Sequence, residues 1–140
     1  MKLIIAAADL DTIAAAAAAA FPEECCGLLV GERHGDALVV TRIVAAANVA
    51  VRPESRFEVD PATLFKAHRS AREAGQTVIG HYHSHPPGRA AVPSPRDRAR
   101  AYADGELWLI VPAHAEGAGA ARAHLFEGGD FREIEIAPGP

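Results

Sequence analysis

The sequence predicts an α/β (α+β) protein in which one mixed β-sheet is flanked by helices. Three observations support this prediction: apolar segments of strand length, helical segments that begin at capping residues, and an order of elements that mixes hairpins with helical crossovers. A chain of 140 residues has the usual length of one domain, and its 49% of hydrophobic residues can build a core without disulfides. We therefore expect a single domain that covers residues 1–140.

Charge and hydropathy argue against several classes of protein. The net charge is −4 and the basic residues are scattered, so no basic run indicates a nucleic-acid partner. Asp9 and Asp11 interrupt the N-terminal apolar run too early for a signal peptide, and the Ala-rich segment 13–21 is too short to span a bilayer. We therefore expect a cytoplasmic protein with no membrane partner.

The two cysteines, Cys25 and Cys26, are neighbours in the sequence. Adjacent residues make a poor disulfide staple, and a pair without the C-x-x-C spacing is a weak zinc signal. The sequence favours small buried apolar residues at both positions.

The first part of the chain predicts a strand, a helix and a hairpin. Asp9 is placed to cap the helix, and Pro22 follows its end. The near-continuous apolar run 25–32 is typical of a strand buried on both faces. The elements predicted here are a strand over 2–6, a helix over 9–20, and two strands over 25–32 and 37–47 joined by a turn at 33–36.

The second part predicts two further helices between strands. Asp60 and Ser94 are each followed by proline, which is the N-cap and first-position pattern of a helix start, and Gly75 marks a helix end. Segment 86–93 is too rich in proline and glycine for regular structure. The predicted elements are short strands over 56–59, 77–85 and 106–112, helices over 61–74 and 95–103, and a hairpin over 121–127 and 131–136.

Three histidines alternate along the strand predicted over 77–85. Alternate residues of a strand share a face, so His81, His83 and His85 point the same way. Two neutral imidazoles at this spacing can chelate one divalent ion such as zinc. The histidine spacing by itself leaves metal binding and ordinary strand histidines equally open.

Asp97 offers a third metal ligand in the first turn of the helix that follows. Capping explains this carboxylate equally well, because Ser94 and Asp97 form an S-x-x-D arrangement like a capping box. The irregular loop 86–93 can bring the helix start back over the end of the strand. A site of two histidines and one aspartate would leave a fourth position open, as catalytic zinc sites do.

Residues 83–97 form the pattern H-x-H-P-x₇-S-x₂-D. In this pattern His83, His85 and Pro86 are followed by a gap of seven residues, then Ser94, a gap of two residues and Asp97. This pattern resembles the JAMM motif, also called MPN+, of zinc metalloproteases (the Mov34/MPN/PAD-1 or JAB family), with no departure. The order of elements and the chain length are also similar, so the resemblance covers nearly the whole chain.

The same family has a glutamate upstream, in a P-x-E-x-x-G setting before a buried strand. The segment "PEECCGLLVGE" supplies Glu24, which stands three residues before Gly27 and is preferred to Glu23 for that reason. The resemblance implies the JAMM/MPN fold, which is itself similar to the α-β-α sandwich of cytidine deaminases.

The resemblance also implies a role for each residue of the motif. His83, His85 and Asp97 would hold Zn²⁺ with a water as the fourth ligand, which makes hydroxide accessible near neutral pH. Glu24 would be the general base that passes the proton of the water to the leaving amine. Ser94 would donate a hydrogen bond to the oxyanion of the tetrahedral intermediate.

The family cleaves amide or isopeptide bonds after the C-terminal glycine of ubiquitin or ubiquitin-like proteins. This nearly minimal chain looks like the small prokaryotic members, which include enzymes that trim ubiquitin-like sulfur-carrier proteins. Asn48 and segment 56–61 look like that group as well, with no chemical role assigned from the sequence. We expect a carrier-protein tail as the substrate, and such a tail could add a strand to a sheet edge.

Two alternatives stay open at the level of the sequence. A zinc hydrolase of the same mechanism could act on an unrelated peptide, and some relatives are interaction modules without activity. The complete ligand set and Glu24 argue against such a module. His81 is interpreted as a strand residue that fills space or supports the ligands, and the sequence predicts no oligomeric state.

Overall fold

The computed structural model describes residues 1–87 and 89–139 and contains three helices and eight strands in those residues. In chain order these are β1 (Lys2–Ala6), α1 (Ala7–Ala20), β2 (Cys26–His34), β3 (Ala37–Ala46), α2 (Pro61–Glu73), β4 (Thr77–His85), α3 (Pro95–Arg100), β5 (Glu106–His114), β6 (Gly117–Ala118), β7 (Arg122–Glu127) and β8 (Asp130–Gly139).

The strands form one mixed sheet that closes on itself. The order of neighbours is β4-β2-β3-β1-β8-β7-β5, and β4 also pairs with β5, so these strands make a complete circuit. The β4–β5, β1–β3 and β1–β8 pairs are parallel, and the others are antiparallel. The predicted mixed sheet with helices is confirmed, whereas the likeness to a deaminase sandwich stays a prediction.

The helices bury small or branched residues one turn apart. In α1, Ile13 and Ala17 are buried, and in α2, Ala67 and Ala71 are buried, each pair at the i, i+4 spacing of one helix face. No helix in the described residues is long and apolar enough to cross a membrane. The main core joins residues of α1 and the strands: Leu3, Ile5, Ile13, Ala17, Leu29, Leu38, Val40, Tyr82, Leu107, Leu109, Val111, Ala113, Ala123, Leu125 and Ile134.

Two predicted helix boundaries are wrong. Asp9 does not cap α1, because the helix starts at Ala7 after an extended Ala6, and Asp9 lies in the first turn. A carboxylate there still interacts favourably with the helix dipole. The last helix, α3, ends at Arg100 and not at residue 103, because Ala101 is extended.

The predicted strand over 56–59 is also wrong. Only Val59 makes a bridge, with Asn48, and the neighbouring amide N–H of Glu58 donates to the Asn48 side chain and not to a strand. The structure also has a two-residue strand, β6, that the sequence did not predict.

Gly80 lies where β4 runs close to β5, and a substitution at this position tests the closure of the sheet. A Cβ atom at Gly80 would lie 2.0 Å from the carbonyl oxygen of Leu107. Gly80→Ala should therefore lower the free energy of unfolding in urea by about 2–3 kcal/mol.

Gly35→Ala is the control for the Gly80 variant. A Cβ at Gly35 meets nothing within 4 Å, and only the φ of 61° opposes it, at a cost of about 1 kcal/mol. Equal losses of stability in the two variants would contradict the close approach of β4 to β5.

Candidate metal centre and active site

The candidate site lies at the C-terminal end of β4, which is paired on both sides. Cys26 of β2 and Ile110 of β5 are the register partners of His83. The side chains of His83 and His85 are 0% and 2% exposed, and alternation along the strand places them on one face. The two flanking strands therefore fix the backbone of His83, and β5 extends the pairing to His85.

Three potential ligand atoms converge at this point. His83 Nε2 lies 3.1 Å from His85 Nε2 and 3.3 Å from Asp97 Oδ2, and His85 Nε2 lies 3.0 Å from the same oxygen. Ligands about 2.0 Å from a tetrahedral zinc ion are about 3.3 Å apart. The three residues therefore fit a divalent metal of that size, and they are the His and Asp residues predicted from the sequence.

The hydrogen bond of His85 prepares its ring for metal binding. His85 Nδ1 lies 2.9 Å from the carbonyl oxygen of Ala90, which can only accept, so Nδ1 carries the hydrogen. The neutral ring then presents the lone pair of Nε2 towards His83 and Asp97. An outer hydrogen bond of this kind is the usual way in which proteins orient a metal-binding histidine.

The same carboxylate oxygen of Asp97 takes part in the cap of α3 and in the group of candidate ligand atoms. Its Oδ2 accepts a hydrogen bond of 2.9 Å from the N–H of Ser94, and the N–H of Asp97 donates to Ser94 Oγ at 3.0 Å. Together these bonds form the capping box at the start of α3. The third ligand is therefore fixed relative to the backbone of the helix.

Burial and pairing set the charges of His83 and Asp97. Burial lowers the pKa of His83, which favours the neutral imidazole that a metal needs. Burial raises the pKa of Asp97, but the close polar contacts of its carboxylate with the rings of His83 and His85 outweigh this and hold that pKa well below its usual range. The site therefore combines neutral imidazole with carboxylate, the donor set that suits zinc.

Glu24 precedes β2 on the side where β4 ends. Its side chain is 3% exposed, Oε2 accepts a hydrogen bond of 3.0 Å from Arg89 Nη2, and Oε1 has no hydrogen-bond partner among the described residues. Burial raises the pKa of Glu24, and the hydrogen bond from Arg89 opposes this rise. A buried carboxylate with one unpaired oxygen is suited to accept a proton.

Asn48 holds the segment that carries Glu24, a contact that the sequence does not indicate. Its Nδ2 donates to the carbonyl oxygens of Glu24 at 2.9 Å and Arg56 at 3.0 Å. Its Oδ1 accepts from the N–H groups of Ala50 and Glu58. One side-chain amide therefore ties Glu24 to the loop over residues 49–58.

An aromatic stack supports the metal ligands from the same loop. The Phe57 ring lies 4.3 Å from the ring of His83 in a stacked orientation, and the ring of His81 contacts both Phe57 and Trp108. His81 is buried and its Nε2 has no partner among the described residues, but it is not one of the three converging residues. The structure thus places His81 beside the ligands, in contact with the ring of His83.

The two cysteines and His124 lie outside the group of three converging residues. Cys26 is buried, and because burial raises its pKa to about 12, it stays a thiol. Cys25 is only half-buried, whereas the sequence predicts a buried residue at this position. His124 Nε2 lies 2.8 Å from the carbonyl oxygen of Ala91 and so anchors the loop that returns to α3.

The chain belongs to a known family. Residues 6–124 match the family described as prokaryotic homologs of the JAB domain, which confirms the resemblance seen in the motif. A desampylase of Haloferax volcanii is 37% identical over 116 residues, which are 83% of this chain and 78% of that relative. A probable TtuB-protein conjugate cleaving protease of Thermus thermophilus is 38% identical over 76 residues, which are 54% of this chain and 47% of the relative.

Solved structures show the same fold. A protein of Desulfitobacterium hafniense superposes with a TM-score of 0.83 at 28% identity, over 99% of this chain and 93% of the other. A JAB1/MPN domain protein of Archaeoglobus fulgidus superposes with a TM-score of 0.56 at 22% identity, over 98% and 96% of the two chains. The predicted JAMM/MPN fold is therefore confirmed.

The contacts of Asn48 predict a large effect of its removal on stability. Asn48→Ala leaves two backbone carbonyls and two N–H groups around Glu24 and Glu58 without partners. The free energy of unfolding in urea should fall by about 1–3 kcal/mol.

Gln76→Ala is the matched control, because Gln76 is also a bridging side-chain amide. It joins Thr41 to Glu32 through side chains alone, in exposed or partly buried surroundings. Its loss should cost about 1 kcal/mol at most. If the two variants lose equal stability, Asn48 does not have the organising role described.

Proposed function

We propose that the protein is a zinc-dependent peptidase or isopeptidase that hydrolyses the amide bond after the C-terminal glycine of a ubiquitin-like or sulfur-carrier protein. The observation that carries this proposal is the convergence of His83, His85 and Asp97, whose ligand atoms lie within 3.3 Å of one another. The buried carboxylate of Glu24 adds the proton acceptor that a hydrolase requires.

Family membership supports the type of reaction. The relative from Haloferax is a desampylase, and the relative from Thermus is named as a probable conjugate cleaving protease. The predicted enzyme class, a hydrolase of the JAMM type, is confirmed at this level, and the ubiquitin-like or sulfur-carrier substrate is part of the proposal. The individual carrier protein and the identity of the metal belong to the proposal.

Zinc held by His83, His85 and Asp97 would polarise the substrate carbonyl and lower the pKa of water to about 7. Glu24 accepts the proton of the attacking water at Oε1, the oxygen that has no partner among the described residues. Arg89 holds the other oxygen, so the carboxylate keeps one orientation. Glu24 then gives the proton to the leaving amine.

Ser94 stabilises the negative charge that develops on the carbonyl oxygen. Its Oγ accepts a hydrogen bond from the N–H of Asp97, so the hydroxyl hydrogen is free to be donated. Ser94 is half-buried beside the third ligand, which suits a donor to the reacting carbonyl. Capping and catalysis therefore use different parts of the same hydroxyl group.

The proposed substrate tail lies beside the loop 49–58. Each of the seven strands of the circuit has two neighbours, but β1 pairs only with Ala37–Val39 of β3, so residues 40–46 of β3 keep one free edge. A glycine end suits this place, because only glycine lets a backbone pass close to the buried centre. Cytoplasmic location and the absence of a nucleic-acid partner stay predictions from the sequence.

Metal content tests the proposed ligands. After removal of metal with EDTA, incubation with zinc and desalting, the wild-type protein should retain about one zinc per chain by mass spectrometry, as a three-ligand site does. His83→Ala and Asp97→Asn should each lose most of it. His68→Ala, on the exposed surface of α2, is the control and should keep it. Wild-type protein that retains no zinc would refute the metal centre.

Substitution of Glu24 tests the proton transfer. Glu24→Gln keeps the size of the side chain but removes its basicity, so it should retain zinc and cleave a ubiquitin-like conjugate at least about 100-fold more slowly. Glu23→Gln, at the exposed neighbour, should cleave normally. Cleavage by Glu24→Gln at the wild-type rate would remove Glu24 from the mechanism.

The pH dependence follows from the direction of the Glu24 pKa. The carboxylate must be ionised to act as a base, and burial raises its pKa above the ordinary 4.5, so kcat/KM should fall at a correspondingly higher pH on the acid side. Arg89→Met removes a hydrogen bond that lowers this pKa, so the acid limb should move to higher pH. A move to lower pH would contradict the assigned ion pair.

A further inference from the structure

Three arginines surround one groove between the loop 49–58 and helix α3. Arg96 and Arg100 are four residues apart on α3 and therefore lie on one face of the helix. Arg56 of the loop lines the same groove, together with the apolar residues Ala50, Val51, Phe57 and Ala99. We call this surface the arginine groove.

The arginine groove carries unneutralised charge. Among residues 1–87 and 89–139, no carboxylate forms an ion pair with Arg56, Arg96 or Arg100. Arg96 donates to the backbone oxygen and hydroxyl of Ser55, and Arg100 lies over the ring of Phe57 at 4.6 Å. The one acidic residue among the described lining is Glu58, so the groove is net positive in a chain of net charge −4.

The arginines of this groove join the loop to α3, since Arg100 also donates a hydrogen bond to the carbonyl oxygen of Phe57, but they carry an electrostatic cost. Like charges at the i, i+4 positions of a helix destabilise it by a few tenths of a kcal/mol. Val51 at the rim is 97% exposed, so the loop also presents an apolar side chain to solvent.

The arginine groove leads to the candidate active site. Arg96 and Ala99 also line the adjoining pocket, which contains Ser94 and Arg89. Ser94 is bonded to the metal-ligating Asp97, and Arg89 to Glu24. A chain whose scissile amide lies at Ser94 would therefore pass its neighbouring residues along Arg96 towards Arg56 and Arg100.

We propose that the arginine groove selects substrates that carry aspartate or glutamate shortly before the cleaved glycine end. This inference rests on the proposed function, because it assigns the groove to the substrate of the same site. Guanidinium groups held by Ser55 and Phe57 are preorganised for carboxylates, and the exposed Val51 offers apolar contact beside them.

The test uses three fluorogenic peptides that end in Gly-Gly linked to a lysine side chain and that carry three aspartates, three asparagines or three lysines before the glycines. The zinc-loaded wild-type protein should cleave the aspartate peptide with a kcat/KM about 10-fold above that of the asparagine peptide, and the lysine peptide most slowly. The preference should shrink between about 50 and about 500 mM NaCl.

Charge reversal in the arginine groove supplies the matched comparison. Arg56→Glu with Arg96→Glu should reverse the order of the three peptides. Lys66→Glu with Arg72→Glu changes the net charge equally on the exposed face of α2 and should leave the order unchanged. Equal kcat/KM values for the three peptides in the wild-type protein would overturn the inference while leaving the proposed function intact.

A binding measurement distinguishes failure of this inference from failure of the proposed function. Fluorescence anisotropy with zinc-loaded Glu24→Gln protein should rank the peptides in the same order without any cleavage. If the aspartate peptide binds selectively but the wild-type protein cleaves no peptide, the proposed function is wrong and the selectivity of the arginine groove for acidic peptides is supported. If a single-stranded oligonucleotide displaces the peptides and their ranking is lost, the groove is a general anion surface and the inference is wrong. Absence of binding and of cleavage rejects both.

Discussion

The pairing of β4 on both of its sides is the constraint on which the site depends. β2 holds the strand in antiparallel register at His83, and β5 holds it in parallel register at the same residue. The β4–β5 pair also closes the sheet. Because a one-residue slip would turn every side chain to the other face, this double register keeps both imidazoles directed at one point. The common direction of the two candidate histidine ligands is therefore a consequence of sheet closure.

The site reuses contacts that ordinary secondary structure already requires. The capping box orients Asp97 towards the histidines and leaves the hydroxyl hydrogen of Ser94 available. The β2–β4 pairing places Glu24 at the end of β4. Substitutions in the capping box or in the β2–β4 pair should therefore alter the candidate site as well as the stability of the helix or the sheet. Such coupling is expected wherever one atom accepts several hydrogen bonds.

Local spacing made much of the site predictable from the sequence. His83 and His85 share a strand face, and Ser94 and Asp97 share one helical turn, so their pattern contains most of their relative geometry. The hydrogen bond from Arg89 to Glu24 spans 65 positions and that from Asn48 to Glu24 spans 24, and no periodicity indicates such contacts. Closure of the sheet by β4 and β5 is likewise a long-range pairing. Asp9 shows a local failure, because a capping residue does not cap when the strand before it runs directly into the helix.

The bridge between Asn48 and Val59 gives the fold a place where length can change. The bridge and the side-chain amide of Asn48 close the base of the loop, while Val51 within the loop is exposed to solvent. Doubling the length of an exposed loop costs only about 0.6 kcal/mol in closure entropy. Extra residues beside Val51 have to keep Pro53 in place, because its carbonyl oxygen accepts a hydrogen bond of 2.8 Å from the N–H of Glu24. The architecture can thus acquire new recognition segments by insertion at this point while the catalytic framework is retained.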